Sequence, residues 1–202
     1  MQINLEIRTD VINYFITRYG YESYLEIGVY DVNINFNKIV AVYKTGVDPN
    51  PAVGLEFTMR SDDFFKQNNK TFDIVFIDGL HESTQVYRDI INSINVLNDG
   101  GAIILHDCNP TQEAIQRVPP IQAGDWTGDV WKAFVRFRTE TQDYNTFVIN
   151  IDYGVGVIKK SVKKLPAFII NEPLIYCNLD KNRIKWLNLI EANELEITLS
   201  NG

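Results

Sequence analysis

An α/β fold, with a mostly parallel, doubly wound sheet closed by an antiparallel hairpin, is the architecture this 202-residue sequence predicts. Three observations carry it. Two short apolar runs, residues 72–77 and 102–105, lack polar alternation and read as strands buried on both faces. Between them runs a helical pattern, with apolar positions at Val86, Tyr87, Ile90, Ile91, Ile94 and Leu97 and a close at Asp99-Gly100-Gly101, so the three segments form a βαβ unit. Farther along, residues 147–151 and 155–158 flank Asp152-Tyr153-Gly154, a hairpin turn signal.

Taken in order, Thr9 or Asp10 can cap a first helix carrying Val11, Tyr14, Phe15 and Tyr19, which Gly20 ends. Residues 24–27 form the first strand and run straight into Gly28. Residues 39–42 read as the second strand, resumed at Gly46-Val47 and stopped by Asp48-Pro49-Asn50-Pro51, because proline cannot donate to a ladder. A short third strand is expected near residues 55–58, and Ser61 is expected to cap a brief helix with Asp62 and Asp63 in its first turn. After the βαβ unit, residues 130–138 are helical in pattern, the hairpin follows, and a last helix is expected over residues 180–191. No repeat, low-complexity tract or linker interrupts the chain. It reads as one domain over residues 1–202, with a core of about 20–160 and an extension of 161–202.

Composition narrows the function. Hydrophobic residues at 45% and charged residues at 22% are ordinary for a globular chain with a substantial core. A formal charge of −7 and a pI near 4.9 argue against duplex binding, which needs a basic patch. Cys108 and Cys177 are too few for a disulfide framework and suit a reducing compartment. No apolar run approaches the ~20 residues that span a bilayer, and the start, MQINLEIRTD, has no leader-like apolar segment. The expected setting is cytoplasmic, with neither membrane nor nucleic acid as partner; homo-oligomerisation is left open.

In an open α/β sheet ligands bind beyond the carboxyl ends of the strands, so the residues that end each strand carry the chemistry. Gly28 allows a tight turn and a close backbone approach, and Asp48, twenty residues later, stands where an acid can accept both hydroxyls of a ribose. A nucleoside-like ligand is the expectation. Asp78 and Asp107 end two strands expected to be neighbours; together they can hold one divalent cation, or each can cap the helix that follows. The chain's two histidines, His81 and His106, lie within three residues of these acids. His81 can serve as a general base or simply bond a backbone carbonyl at a helix start. Cys108 reads as inert packing. The segment Trp126-Thr127-Gly128-Asp129-Val130-Trp131-Lys132 is either a substrate lid or an ordinary amphipathic helix start with Trp131 in the core.

The motifs Tyr24-Leu25-Glu26-Ile27-Gly28-Val29 and Gly46-Val47-Asp48-Pro49, residues 72–81 and residues 100–107 occur in that order. Together they resemble the class I S-adenosylmethionine-dependent methyltransferases, whose sheet is Rossmann-like. Within that class they are similar to the small-molecule O-methyltransferases of the macrocin and rhamnosyl type. The resemblance covers residues 23–110. It implies S-adenosylmethionine as cofactor, with Glu26 and Gly28 at its methionine end, Asp48 on the ribose, and Met59, Arg60 and Ser61 beside the adenine. Asp78 and His81 would then be a metal ligand bordering the cofactor and a base, and Asp107 a second ligand, with magnesium the first cation to test. His106, Asn109, Trp126 and Trp131 would face the acceptor, a small molecule such as a sugar or polyol. Where the family supplies acidic ligands, this chain has His106-Asp107; where it usually has a further glycine, this chain has Val32-Asn33. Two rivals remain. A nicotinamide-dependent oxidoreductase would use the same Gly28/Asp48 logic, but Gly28 stands outside any GxGxxG. A non-catalytic binding protein of the same fold would account for Val32.

Overall fold

The computed structural model describes residues 4–121 and 123–201. One seven-stranded sheet organises them: β1 (Ser23–Ile27), β2 (Tyr43–Val47), β3 (Phe72–Ile77), β4 (Leu97–Leu105), β5 (Tyr144–Ile149), β6 (Val155–Lys160) and β7 (Leu189–Ile190), in the order β2-β1-β3-β4-β6-β5-β7. β2, β1, β3 and β4 are mutually parallel. β6 runs antiparallel to β4 and β5, and β7 joins the far edge parallel to β5. The helices are α1 (Arg8–Tyr19), α2 (Ser61–Gln67), α3 (Ser83–Asn95), α4 (Val130–Glu140), α5 (Tyr176–Leu187) and α6 (Leu195–Asn201).

Both faces of the sheet are covered, which is why its central strands lack polar alternation. On β3, Ile74 and Phe76 pack with Val11, Ile12 and Phe15 of α1 and Leu195 of α6. Val75 and Ile77 point the other way, toward Phe64 of α2, Val86 and Ile90 of α3, Trp131 and Phe134 of α4, and Leu179 of α5. Each fully buried side chain of this size contributes roughly 1.5–3 kcal/mol. The predicted mostly parallel sheet with a closing hairpin is the observed one, and the chain's last stretch adds a strand and a helix to the same sheet and core.

Several boundaries differ from the sequence reading. The second strand is Tyr43–Val47, which includes the expected Gly46-Val47 but not residues 39–42. Ile39 and Ala41 are buried while Val40 and Val42 are exposed, so that segment approaches the sheet edge without pairing. The expected strand at residues 55–58 reduces to a single bridge between Val47 and Phe57. Helix α1 is capped at Ile7, and Asp10 serves it from inside the first turn, accepting from the amides of Glu6 and Ile7 at 3.0 and 3.1 Å. Arg60, not Ser61, is the N-cap of α2. The last long helix begins four residues earlier than expected, and Asn188 closes it in a left-handed turn.

Register sets up the site. Ile27 is level with Val47 and with Ile77, and Ile77 with Leu105. The next residues, Gly28, Asp48, Asp78 and His106, therefore emerge side by side at one edge of the sheet. The β5–β6 turn reaches the same edge, because Leu105 is paired with Gly156. Gly28 has φ 85°, and a Cβ on it would lie 2.3 Å from the carbonyl oxygen of Asp78. Its lack of a side chain lets the loop after β1 press against the loop after β3. We expect Gly28→Ala to destabilise the protein by roughly 2–4 kcal/mol, through left-handed strain and backbone displacement together. Denaturant unfolding of the variant measures it, and a loss below ~1 kcal/mol would show that the two loops are free to separate.

Candidate active site

Two cavities open at this edge and share a wall. One, of about 590 Å³, is bounded by Glu26, Asp78, His81, His106, Asp107 and Trp126 among others. The second, of about 570 Å³, is bounded by Asp48, Arg60, Ser61, Asp62, Gln85 and Arg88 among others. Gly28, Tyr30, Asp78 and Gly79 border both. Asp48 is buried at the end of β2, and its two carboxylate oxygens accept separately from the amides of Tyr30, at 2.9 Å, and Asn50, at 2.8 Å. Each oxygen keeps acceptor capacity for a hydroxyl while the carboxylate is held in place. Met59 does not line this cavity; its sulfur accepts from Gln67.

Glu26 is buried within a polar network. Tyr24 and Asn35 both donate to its Oε2, and Thr9 donates to Asn35 at 2.7 Å. Burial pushes its carboxyl up to about 8, against the pull of those two hydrogen bonds.

At the centre of the first cavity three carboxylates interleave with three basic groups. Asp78 Oδ1 lies 3.2 Å from His81 Nε2 and 3.4 Å from His106 Nδ1, and its Oδ2 lies 3.6 Å from Arg8 Nε. Asp107 approaches His81 Nδ1 at 3.2 Å and His106 Nδ1 at 3.3 Å. Asp152 faces His106 Nε2 at 3.3 Å and accepts from both the backbone amide and the guanidinium of Arg8, each at 2.9 Å. Burial works against charge on Asp78 and His106, but the opposite charges prevail: Asp78 is held far below the usual carboxylate range by His106 and His81, and His106 is raised well above its ordinary value by Asp78, Asp107 and Asp152. His81 is also raised, its own burial outweighed by the hydrogen bond to Asp78 and the charges of Asp107 and Asp78. One atom each from Asp78, His81 and Asp107 can be chosen so that all lie within 4.8 Å of one another, a spacing that suits a shared cation.

The remaining candidates divide. Trp126 lines the cavity: its carbonyl lies 2.9 Å from His81 Nδ1 and its ring is tilted 32° to the imidazole at 5.3 Å. Trp131 does not reach the cavity. It is fully buried, stacks on Trp186 and donates to Gln116, so the core alternative for this residue is the one observed. Asn109 is likewise turned away, held by Asn150 and Arg183. Gly128 brings the Trp126 segment against His81, since a Cβ there would fall 1.8 Å from the His81 carbonyl. Asp129 then accepts from the amide and hydroxyl of Ser83, capping α3 from outside. Val32 borders neither cavity, so its side chain takes no room from them.

Arg8 and Asp152 were not among the sequence candidates. Arg8 carried one available signal, a cation in the first turn of a helix where the dipole disfavours it. Asp152 was hidden in a turn motif: it adopts φ 45° to make the turn and presents its carboxylate to the site.

The cleft lies at the carboxyl edge of a sheet with helices on both faces, where open α/β sheets bind their ligands. Residues 35–108 match the family described as a methyltransferase domain, a stretch that runs from the approach to β2 through Asp107. No curated protein matches the sequence. Among solved structures, the O-methyltransferase TomG of Streptomyces achromogenes, involved in tomaymycin synthesis and bound to S-adenosylmethionine, aligns with TM-score 0.57 and 11% identity over 76% of this chain and 79% of its own. The O-methyltransferase from Bacillus cereus with bound S-adenosylhomocysteine aligns with TM-score 0.55 and 11% identity over 79% and 84%. The S-adenosylhomocysteine-bound methyltransferase PaMTH1 of Podospora anserina gives TM-score 0.55 and 13% identity over 76% and 78%. The chain therefore has the class I S-adenosylmethionine-dependent methyltransferase fold, as its ordered motifs predict.

Glu26 provides a test of the site's electrostatics. The folded protein retains a proton on Glu26 that the unfolded chain loses near pH 4.5, and releases it only at about 8. The resulting contribution to stability is complete below the unfolded value, falls as pH rises between the two, and is gone above the folded value. Glu26→Gln, whose amide oxygen can still accept from Tyr24 and Asn35, should therefore match the wild type near pH 4.5 and exceed it in stability by about 2–4 kcal/mol at pH 8. Ligand-free unfolding at both pH values measures this; equal curves throughout would place Glu26 in a solvated environment.

Proposed function

We propose that this protein is an S-adenosylmethionine-dependent O-methyltransferase acting on a small polar acceptor, with a sugar or polyol hydroxyl as the favoured group. One observation carries the reading: two cavities meet along Gly28 and Asp78, with Asp48 in one and His81, Asp107 and Trp126 in the other. The cavity of Asp48 suits the adenosine half of the cofactor, whose ribose hydroxyls Asp48 accepts. Arg60 and Ser61 flank the ring there. Glu26 and Gly28 stand beside the methionine half, which directs the sulfonium methyl toward the second cavity. Residues 1–202 are read as one such domain.

In the transfer, the acceptor oxygen attacks the methyl carbon in line, the carbon–sulfur bond breaks, and S-adenosylhomocysteine leaves. The sulfonium is already activated, so the protein's part is alignment and removal of the acceptor's proton. His81 suits the proton removal. It adjoins the shared wall; in its neutral form, with Nδ1–H directed at the Trp126 carbonyl, Nε2 is left to take that proton, and Asp78 beside it stabilises the imidazolium formed. The Trp126 ring suits stacking on a sugar face.

The donor set fits a divalent cation, since the carboxylates of Asp78 and Asp107 provide hard oxygen donors within 4.8 Å of each other. Such a cation, magnesium first, would polarise the acceptor hydroxyl and favour its deprotonation. A second reading has its own observation: His106 already sits between the same two carboxylates, at 3.4 and 3.3 Å, and can neutralise them without a metal.

Calorimetric titration with S-adenosylmethionine tests the cofactor assignment. Asp48→Ala should bind roughly a hundredfold more weakly while remaining folded, because hydrogen bonds to a charged acceptor contribute about 1.5–3 kcal/mol each. Unchanged affinity would remove Asp48 from the ribose. For the chemical step, release of S-adenosylhomocysteine across an acceptor panel should fall roughly 10²–10⁴-fold in His81→Ala, with cofactor affinity little altered. Exhaustive chelation, run alongside, abolishes turnover in the first reading and leaves it intact in the second.

A further inference from the structure

Behind the wall of the 570 Å³ cavity lies a buried carboxylate with no part in the chemistry above. We propose that Asp89 is a positioning residue that fixes Ser61 and Gln85 in the hydrogen-bonding sense in which they meet the purine ring of the cofactor. The proposal rests on the cofactor reading above. Asp89 is 1% exposed, on the inner face of α3. One turn earlier on the same helix, Gln85 directs its Nε2 at three oxygens: Asp89 Oδ1 at 3.0 Å, Asp62 Oδ1 at 3.1 Å and Ser61 Oγ at 3.1 Å. Gln85 Oε1 accepts from Arg88. Ser61, at the start of α2, accepts from Gln85 and lies near enough to Asp89 for its hydroxyl to lower that carboxyl. Ser61, Asp62, Gln85 and Arg88 all line the cavity that contains Asp48, and Asp89 does not.

The donor count gives the arrangement its direction. An ionised carboxylate only accepts, so Asp89 takes the single hydroxyl hydrogen of Ser61 and one amide hydrogen of Gln85. Ser61 Oγ can then offer only lone pairs to the cavity, which suits an exocyclic amino group. Ser93 lies one turn beyond Asp89, and its buried hydroxyl has no partner, so it gives Asp89 no bond. The partners of Asp89 are on the cavity side. Had the role been only to tie α2 to α3, a neutral side chain would serve without a buried charge. Protonation of Asp89, or its replacement by Asn, introduces a donor where only an acceptor fits, and releases the Ser61 hydrogen toward the ring.

Charge on Asp89 is marginal. Burial pushes its carboxyl up to about 6, the bonds from Ser61 and Gln85 oppose this, Asp62 of α2 adds to it, and Arg88 of α3 counters. Cofactor affinity should therefore weaken with acid as Asp89 loses its charge.

The test is calorimetry with S-adenosylhomocysteine at pH 7 and pH 5 on wild type and Asp89→Asn. The wild type should bind roughly fivefold more weakly at pH 5, where about a tenth of Asp89 remains ionised and the protonated form binds as the Asn variant does. Asp89→Asn should bind roughly tenfold more weakly than wild type at pH 7, the loss of one hydrogen-bonding alignment, with no further fall at pH 5. In turnover its KM for the methyl donor should rise while kcat at saturation changes little. A folded Asp89→Asn that binds like wild type at pH 7, or keeps the acid-dependent fall, overturns the proposal while leaving the cofactor reading intact. A wild type that binds no S-adenosylhomocysteine at either pH overturns both. Should Asp89→Asn fail to fold, Ser61→Ala carries the test: it removes the hydroxyl between Asp89 and the ring, so its affinity should be flat between pH 7 and pH 5. A retained fivefold fall in that variant overturns the proposal.

Discussion

Asp78 is the residue on which the rest of the site depends, because its carboxylate is bordered by His81, His106 and Arg8 and the residue borders both cavities. A partly buried carboxylate is costly unless paired, and here the pairing comes from three different parts of the chain. Arg8 arrives from the first helix, His81 from the loop after β3, and His106 from the end of β4. Each has a second anchor, Asp152 for Arg8 and His106 and Asp107 for His81, but only Asp78 borders all three. The level register of β1, β3 and β4 makes this convergence possible: shifting β4 by one residue would turn His106 to the opposite face of the sheet.

The site is also where the backbone departs from ordinary geometry. Tyr30, Asp107, Asp152 and Tyr153 all have positive φ, and all four line the first cavity. Such conformations cost roughly 1–2 kcal/mol each for residues with side chains, about what one buried Ile or Phe contributes. The sheet core, with Phe76, Trp131, Phe134 and Phe147 fully buried, is large enough to offset them. Glycine marks the contacts where even that would not suffice: Gly154 lets the β5–β6 turn press against Asn109, where a Cβ would lie 2.3 Å from the Asn109 Cβ.

Much of this was legible in the sequence because buried parallel strands leave an unmistakable pattern. Residues 72–77 and 102–105 identified the sheet centre, and the polar residues that end them, Asp78 and His106-Asp107, stand on the cavity. The edge strand was harder to read. Tyr43-Lys44-Thr45 shows no apolar run since one side of β2 faces solvent, whereas the more apolar residues 39–42 lie just outside the ladder. Trp131 and Asn109 show a different limit. Proximity in sequence to a motif says nothing about which way a side chain turns, and a helix face buried the first while Asn150 and Arg183 claimed the second. Arg8 and Asp152 escaped notice because their meaning is jointly tertiary: each becomes a site residue only in the presence of the other.

That last pairing bears on how the protein is made. The Arg8–Asp152 contact joins residues 144 positions apart, so a chain emerging from the ribosome carries its first helix long before the turn that completes the site exists. The central β1–β3–β4 layer can assemble from residues 23–105, and domains tend to fold in the order of their synthesis. The acidic pair at its edge must wait, with Arg8 held by nothing on the far side, until the hairpin of β5 and β6 docks antiparallel against β4. Closing so long a loop is slow relative to local structure formation. The first six strands of the sheet thus lie within residues 23–160, but the pocket needs the seating of a single turn against the first helix.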